Sequence, residues 1–154
     1  PLHKTLMSST HTKLYFHVVF STKLREPWLV PDWRQGVHSY LGGIVKSLDG
    51  IPLTIGGVAD HVHLLLRLRP VHCISEVLRQ VKRGSSVWIH ERFRRSAFAW
   101  QEGYGAFSVS HRDVPAVRRY IETQEEHHRV KTFQEEYVDL LTEHGLEFDS
   151  RFLW

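Results

Sequence analysis

Two histidines separated by one residue lie at the start of a predicted β-strand. His61 and His63 flank Val62, and because side chains alternate along a strand, both imidazoles lie on one face, about 7 Å apart. Such a pair can share one metal ion if a third ligand comes from elsewhere in the chain. With 12 histidines present, the pair could also be two ordinary surface residues. The spacing alone leaves both interpretations open.

A second pair with chemical potential lies on a predicted helix near the C-terminus. Tyr120 and Gln124 are four residues apart in RRYIETQEEHH, so they project from one helical face. Taken alone, the tyrosine is expected to be a half-buried residue at the edge of the apolar stripe formed by Val117 and Ile121. A phenol has a pKa near 10 and is a poor nucleophile unless its target is activated.

The two pairs complement each other chemically. A metal ion that neutralises a phosphate would help a tyrosine to attack it. The amide oxygen of Gln124 could join the imidazoles of His61 and His63 in holding that ion. Nitrogen and oxygen ligands without a thiolate suit a divalent ion such as Mg²⁺ or Mn²⁺.

Other catalytic patterns fit poorly. Zinc proteases need two histidines at helical spacing, whereas His61 and His63 lie on a strand. No nucleophile elbow surrounds a serine, and the cysteine Cys73 is expected to be a buried thiol. Gly42-Gly43 and Gly56-Gly57 match neither a Walker nor a Rossmann phosphate loop.

Hydrophobic periodicity gives the order β-α-β-β-α-β followed by two helices. Asp32 is the predicted N-cap of the first helix, Thr132 caps the last helix and Gly145 ends it. The predicted strands cover 13–22, 51–58, 61–68 and 106–110, and the predicted helices cover 33–48, 74–92, 113–128 and 133–144. This order is that of the α+β, ferredoxin-like split-βαβ fold, an antiparallel sheet with helices on one face, plus C-terminal helices.

Composition places the chain among ordinary globular proteins. Its 154 residues are 42% hydrophobic and 24% charged, which is enough for one domain with a packed core. A single cysteine excludes a disulfide framework and favours a reducing, cytoplasmic environment. The apolar runs are too short to span a membrane, so no membrane partner is expected. Residues 1–12 are expected to be a cloning remnant and a loosely held lead-in, with Met7 as the natural start.

Basic residues concentrate between Arg67 and Arg95, although the net charge is only +3. Arginines and lysines on one helix and its adjoining loop can follow a phosphate backbone, but they could also simply solvate a helix face. Glutamates 122, 125, 126, 135 and 136 are interpreted as a solvated face, and His127-His128 as a feature of a helix C-terminus. The candidate DNA-binding residues are Arg79, Lys82, Arg83, Arg92, Arg94 and Arg95.

These residues together give the chain a family resemblance. It resembles the single-tyrosine HUH transposases of bacterial insertion sequences and their REP-associated relatives, over nearly its whole length. Ala59 stands where the family often has proline. The matching segments are YFHVVFSTKLREP (15–27), DHVHLLL (60–66), VKRGSSVWI (81–89), FAWQEGYGAFSVS (98–110) and VRRYIETQEEHH (117–128).

The resemblance implies specific roles for the candidate residues. His61, His63 and Gln124 would bind a divalent metal, and Tyr120 would attack single-stranded DNA to form a 5′-phosphotyrosine link. Residues 13–154 would form one HUH transposase domain that recognises hairpin ends. The resemblance also implies a homodimer in which His61 and His63 of one subunit meet Tyr120 of the other.

Two alternatives remain open at the level of sequence. A non-catalytic ferredoxin-like module could bind nucleic acid, although it would leave His61, His63, Tyr120 and Gln124 without a role. A domesticated relative could cleave single-stranded DNA without mobilising it, and the sequence does not separate this from an active transposase.

Overall fold

The computed structural model describes residues 9–154, which form an antiparallel sheet with helices on both faces. The strands are β1 (Leu14–Ser21), β2 (Ile51–Gly57), β3 (His61–Leu68) and β4 (Gly105–Val109). They are ordered β2-β3-β1-β4, so the strand that begins with His61 is central. This is the predicted ferredoxin-like arrangement, and each predicted strand is present to within one residue at either end.

One face of the sheet is covered by α1 (Pro31–Ser47) and α2 (Ile74–Phe93). Alternation along β1 and β3 sends Val18, Phe20, Leu64 and Leu66 to this side, where they are fully buried. This core fixes the register of β3, and therefore forces His61 and His63 to the opposite face.

The opposite face is covered by α3 (Val114–Glu122), α4 (Gln124–His127) and α5 (Phe133–Glu143). Phe133, Tyr137 and Leu140 of α5 pack on Val19 and Phe107 of the sheet. The C-terminal helices of the same chain therefore cover this face, and no partner subunit is needed to bury it.

The prediction of one helix over residues 113–128 is wrong, because the structure has two helices there, α3 and α4. The chain leaves helical geometry at Thr123, with φ −105° and ψ 24°, between Tyr120 and Gln124. The Thr123 hydroxyl donates to the Arg119 carbonyl at 2.8 Å, an internal bond that competes with the helical ladder. The two residues stay close nonetheless, since Gln124 Nε2 donates to the backbone carbonyl of Tyr120 at 3.3 Å.

Two further predictions about local structure are wrong, and one is confirmed. Asp32 lies in the first turn of α1 rather than at its N-cap, because Pro31 fits the first helical position and Val30 precedes it. Cys73 is exposed rather than buried, since it precedes α2 at the surface. Thr132 does cap α5, where it forms a capping box with Glu135.

Residues 1–8, including the predicted start at Met7, lie outside the described residues. Within residues 9–154, no helix is both long and apolar enough to cross a lipid bilayer.

Gly56 in β2 allows α3 to lie close against the sheet. A Cβ at this position would collide with the Ile121 carbonyl oxygen and would stand 2.9 Å from the Ile121 side chain. Ile121 is fully buried and adjoins Tyr120, so the approach of α3 determines where the tyrosine lies.

We expect Gly56→Ala to lower the free energy of unfolding by about 1–3 kcal/mol, because the added methyl group cannot be accommodated without moving α3. Chemical denaturation measures this change. Gly43→Ala is the matched control, since a Cβ there meets nothing within 4 Å and the residue lies in α1. Equal effects of the two substitutions would contradict the close approach of α3.

Candidate metal and nucleophile site

The two strand histidines lie beneath the C-terminal helices. His61 and His63 are both fully buried, and their ring centroids are 5.1 Å apart. The structure therefore excludes the interpretation as ordinary surface histidines.

Each of these histidines is held by a neighbour at its Nδ1 atom. His61 Nδ1 lies 2.7 Å from Asp60 Oδ1, and His63 Nδ1 lies 2.8 Å from His17 Nε2. A carboxylate can only accept, so His61 Nδ1 carries a proton and a neutral His61 presents a lone pair at Nε2. Partners at Nδ1 commonly orient metal-binding histidines in this way.

His17 and His63 are neutral at physiological pH. Burial lowers the pKa of His17 to about 3 and that of His63 to about 4. Their mutual hydrogen bond can run in either direction, depending on which ring carries the proton. When His63 donates through Nδ1, its Nε2 is free to bind a cation.

Gln124 completes part of this arrangement. It is 1% exposed, and its Oε1 atom lies 3.2 Å from His61 Nε2. Its amide nitrogen is engaged by the Tyr120 carbonyl, which supports the assignment of oxygen to the side facing the histidine. A neutral His61 would turn a lone pair toward this oxygen, an arrangement that suits a cation held by both atoms.

Tyr120 lies beside the same histidines of its own chain. Its ring centroid is 5.7 Å from that of His63 and 6.0 Å from that of His17. Burial raises the pKa of the Tyr120 hydroxyl above its usual value, and the negative charge of Glu136 raises it further. The phenol is therefore protonated at rest. The structure brings Tyr120, His61, His63 and Gln124 together within one chain.

The prediction that Glu136 belongs to a solvated acidic face is wrong, because this residue of α5 is buried. It is 3% exposed, and its Oε1 atom lies 2.6 Å from His63 Nε2 and 4.0 Å from His61 Nε2. Burial alone would raise the pKa of Glu136, but its contacts with His128 and His63 outweigh burial and hold the pKa well below its usual value. The site therefore contains a buried carboxylate.

His128 is likewise part of the site rather than only a helix-end feature. Its Nε2 atom lies 2.7 Å from Glu136 Oε2 and 3.1 Å from Gln124 Oε1. Burial lowers the pKa of His128, but the Glu136 carboxylate outweighs this effect and raises it overall. His128 can therefore balance the charge of Glu136.

These donors suit a divalent ion. One ligand atom from each of His61, His128 and Glu136 lies within 4.8 Å of the others. His63 Nε2 and both oxygens of Glu136 are buried without a hydrogen-bond partner of acceptable geometry among the described residues. Imidazole, amide and carboxylate groups without a thiolate fit Mg²⁺ or Mn²⁺.

Sequence reasoning missed Glu136 and His128, although both carry a signal. Glu136 interrupts the apolar stripe of α5, being three residues from Phe133 and four from Leu140. A carboxylate at such a position is buried when the helix packs, and it then needs a partner. His128 follows Gln124 by four residues and thus shares its helical face.

The predicted DNA-binding residues lie on α2 and the loop after it, on the other face of the sheet. Arg83, Arg92, Arg94 and Arg95 are exposed. Arg79 is also exposed and pairs with Glu76 at 2.7 Å. These positions are compatible with phosphate contacts, and their role in DNA binding stays a prediction.

Lys82 differs from these arginines because its ammonium group is engaged by the chain itself. It donates to the carbonyls of Gln101 at 2.9 Å and Glu102 at 3.3 Å, and also to that of Gly103. Burial lowers the pKa of Lys82 to about 8. The structure favours a role in holding the loop before β4.

The amino-acid sequence is similar to those of known transposases. The family model of IS200-like transposases matches residues 10–124. The IS200 transposase of Salmonella typhimurium is 26% identical over 124 residues, which cover 77% of this chain and 81% of the relative. The ISDra2 transposase TnpA of Deinococcus radiodurans is 25% identical over 118 residues, which cover 73% and 84% respectively.

Solved structures show the same fold. A crystal structure of a transposase from Deinococcus radiodurans superposes with a TM-score of 0.64 at 25% identity, covering 77% of this chain and 95% of that one. A REP-associated tyrosine transposase bound to a REP hairpin superposes with a TM-score of 0.59 at 13% identity, covering 79% and 74%.

The chain has a ferredoxin-like sheet with paired histidines on a central strand, facing a tyrosine on a covering helix, which is the arrangement that its resemblance to the HUH transposases implies. Within that class, this chain belongs to the IS200-like transposase family. Glu136 lies beyond the segment that the family model matches, on a helix that packs over the histidines.

Proposed function

We propose that this transposase cleaves and rejoins single-stranded DNA through a 5′-phosphotyrosine intermediate, with a divalent metal, at hairpin ends of an insertion or repeat element. The observation that carries the proposal is the placement of Tyr120 beside the buried His63. A tyrosine, two imidazoles and an amide oxygen are groups that suit metal-assisted phosphoryl transfer.

The residues that would hold the metal are His61, His63 and Gln124, with Glu136 and His128 close enough to contribute. The positive charge of a bound ion would stabilise the negative charge that develops on a phosphate oxygen during attack. Asp60 and His17 would keep the two strand imidazoles in place.

Tyr120 would act as the nucleophile. Its oxygen would bond to phosphorus while the bond to the 3′ oxygen breaks, and the departing 3′ oxygen would take a proton from water, giving a 3′-OH and a 5′-phosphotyrosine. Since burial and Glu136 keep the phenol protonated, its proton must leave during attack rather than before it. Glu136 is a nearby carboxylate that could accept this proton, although its lowered pKa makes it a weak base.

A covalent adduct tests the proposal. We expect the protein, incubated with Mn²⁺ and single-stranded DNA from the flanks of its own gene, to form a species that resists denaturing electrophoresis. The matched control omits Mn²⁺ and adds EDTA. If neither flanking strand gives an adduct, the proposed cleavage activity is contradicted, and the non-catalytic nucleic-acid-binding module is favoured.

The site is supported as one built within a single chain, because Tyr120 lies beside His63 of the same chain and α3 to α5 cover their own sheet. The homodimer with shared sites that the family resemblance implies stays a prediction. The DNA partner is proposed to be a hairpin with an adjoining single strand, and a domesticated endonuclease would use the same chemistry.

Mixing two inactive proteins distinguishes the two arrangements. If each site is built within one chain, Tyr120→Phe mixed with the His61→Ala/His63→Ala double variant should show no cleavage, because every chain lacks one of the required groups. If sites are shared, mixed dimers regain one intact site and cleave the DNA. Subunit exchange is verified beforehand with differently labelled chains, so recovered cleavage would contradict the single-chain site.

A further inference from the structure

A cavity of about 470 Å³ opens beside Tyr120, between the sheet and helices α3 and α5. His17 and Phe107 line it from the strands, while Tyr120 and Val117 line it from α3. Its volume lies within the range of pockets for small ligands, about 300–1,000 Å³. Because the proposed nucleophile lines the cavity, this is a space that a nucleotide next to the attacked phosphate can reach.

One wall of this cavity presents a flat ring. Phe107 is 3% exposed and is already stacked by His144, with centroids 4.4 Å apart and planes inclined by 28°, so the aromatic surface open to a ligand is that of the exposed His144. Val117 and Leu140 add aliphatic surface. Aromatic and aliphatic walls of this kind hold unstacked nucleobases.

Carboxylates are the largest group among the polar side chains of the cavity, beside three histidines, His17, His127 and His144. The lining residues include one lysine, Lys131, and no arginine. The carboxylates that line the cavity are Asp113, Asp139, Glu143 and the buried Glu136. Lys131 pairs with Asp139. The oxygens of Glu136 face His63 and His128 at 2.6 and 2.7 Å, and Glu143 is exposed at the rim of the cavity. Four carboxylates against one lysine disfavour a phosphate and favour groups that donate hydrogen bonds.

We propose that this cavity binds the unpaired base next to the scissile phosphate and selects a base with an exocyclic amino group. Carboxylates accept hydrogen bonds from the amino groups of cytosine and adenine, and from the N1–H and amino group of guanine. Thymine presents its O4 carbonyl where cytosine has the amino group, so a carboxylate at that position faces another acceptor, and the donor that thymine offers on this edge is N3–H. The inference rests on the proposed function, because it is the attack by Tyr120 that brings DNA to the cavity.

Glu143 is the carboxylate chosen for the test. It is exposed at the C-terminal end of α5, so its replacement by Gln should preserve the fold while removing the charge. Asp113, whose Oδ2 accepts from the Ser110 hydroxyl at 2.9 Å, provides a second variant, Asp113→Asn. Glu91→Gln is the matched control, since Glu91 is exposed on α2 at the other face of the sheet.

The experiment compares oligodeoxycytidine with oligodeoxyuridine of about eight nucleotides, a length within typical single-strand site sizes. The two strands have the same backbone and differ only in the base. Cytosine has an amino group at C4 and no proton at N3, whereas uracil has a carbonyl oxygen at C4 and a proton at N3. Fluorescence anisotropy in EDTA measures binding by the full chain without cleavage. We expect the cytidine strand to bind at least about fivefold more tightly.

Glu143→Gln or Asp113→Asn should reduce this preference, whereas Glu91→Gln should retain it. Equal affinities for the two strands, undetectable binding of both, or a preference that neither cavity variant changes would overturn the proposal. Because EDTA removes any cleavage, this result is independent of the adduct assay. A cytidine preference without an adduct would refute the proposed chemistry and leave the cavity assignment intact.

Discussion

Replacing Tyr120 by Phe is expected to abolish formation of the covalent DNA adduct, with a fall in cleavage of about 10³-fold or more. The substitution removes only the hydroxyl, at a half-buried position whose ring packs against His17, His63 and His127. We therefore expect the fold and the affinity for single-stranded DNA to change little. Denaturing electrophoresis with Mn²⁺ measures the adduct, and anisotropy in EDTA measures binding.

Tyr40→Phe is the matched control for this experiment. Tyr40 stacks on Trp88 at 4.5 Å on the other side of the sheet, so losing its hydroxyl should leave cleavage at the wild-type level. Cleavage by Tyr120→Phe near the wild-type rate would identify another nucleophile. Tyr137, which is buried on α5 nearby, would then be the next residue to replace.

The second large effect is expected from the strand histidines. The His61→Ala/His63→Ala double variant should lose both cleavage and measurable Mn²⁺ binding, because two of the imidazole ligands disappear together. Gln124→Ala should be milder, since a water molecule can replace a neutral amide oxygen. Titration calorimetry measures Mn²⁺ affinity directly and does not depend on DNA.

His11→Ala provides the control, because His11 is exposed near the start of β1 and should leave metal affinity unchanged. Since the removed histidines are buried, circular dichroism must first show that the double variant is folded. If it is not, His63→Gln, which retains a polar side chain, replaces it. Unchanged Mn²⁺ affinity in a folded variant would refute the site.

The sequence by itself determined the four-stranded sheet and the helices α1 and α2 that cover one of its faces. Strand alternation and the apolar run of β3 place Leu64 and Leu66 on one face and His61 and His63 on the other. The pairing of these histidines with Tyr120 and Gln124 followed from chemistry and family resemblance. The predicted strands and the fold are confirmed because they depend on local periodicity, whereas the roles of the four residues stay predictions.

Only the tertiary structure decided which side chains surround the nucleophile. Glu136 reads as surface charge in the sequence, but the packing of α5 on Val19 and Phe107 buries it against His63. Thr123 reads as helical, but the chain breaks there and turns His128 toward Glu136. The interruption of the apolar stripe of α5 indicates that Glu136 is buried, but charge pairing arises from contacts between residues distant in sequence, so no local pattern names its partners. The electrostatic environment of Tyr120 is therefore a property of the fold.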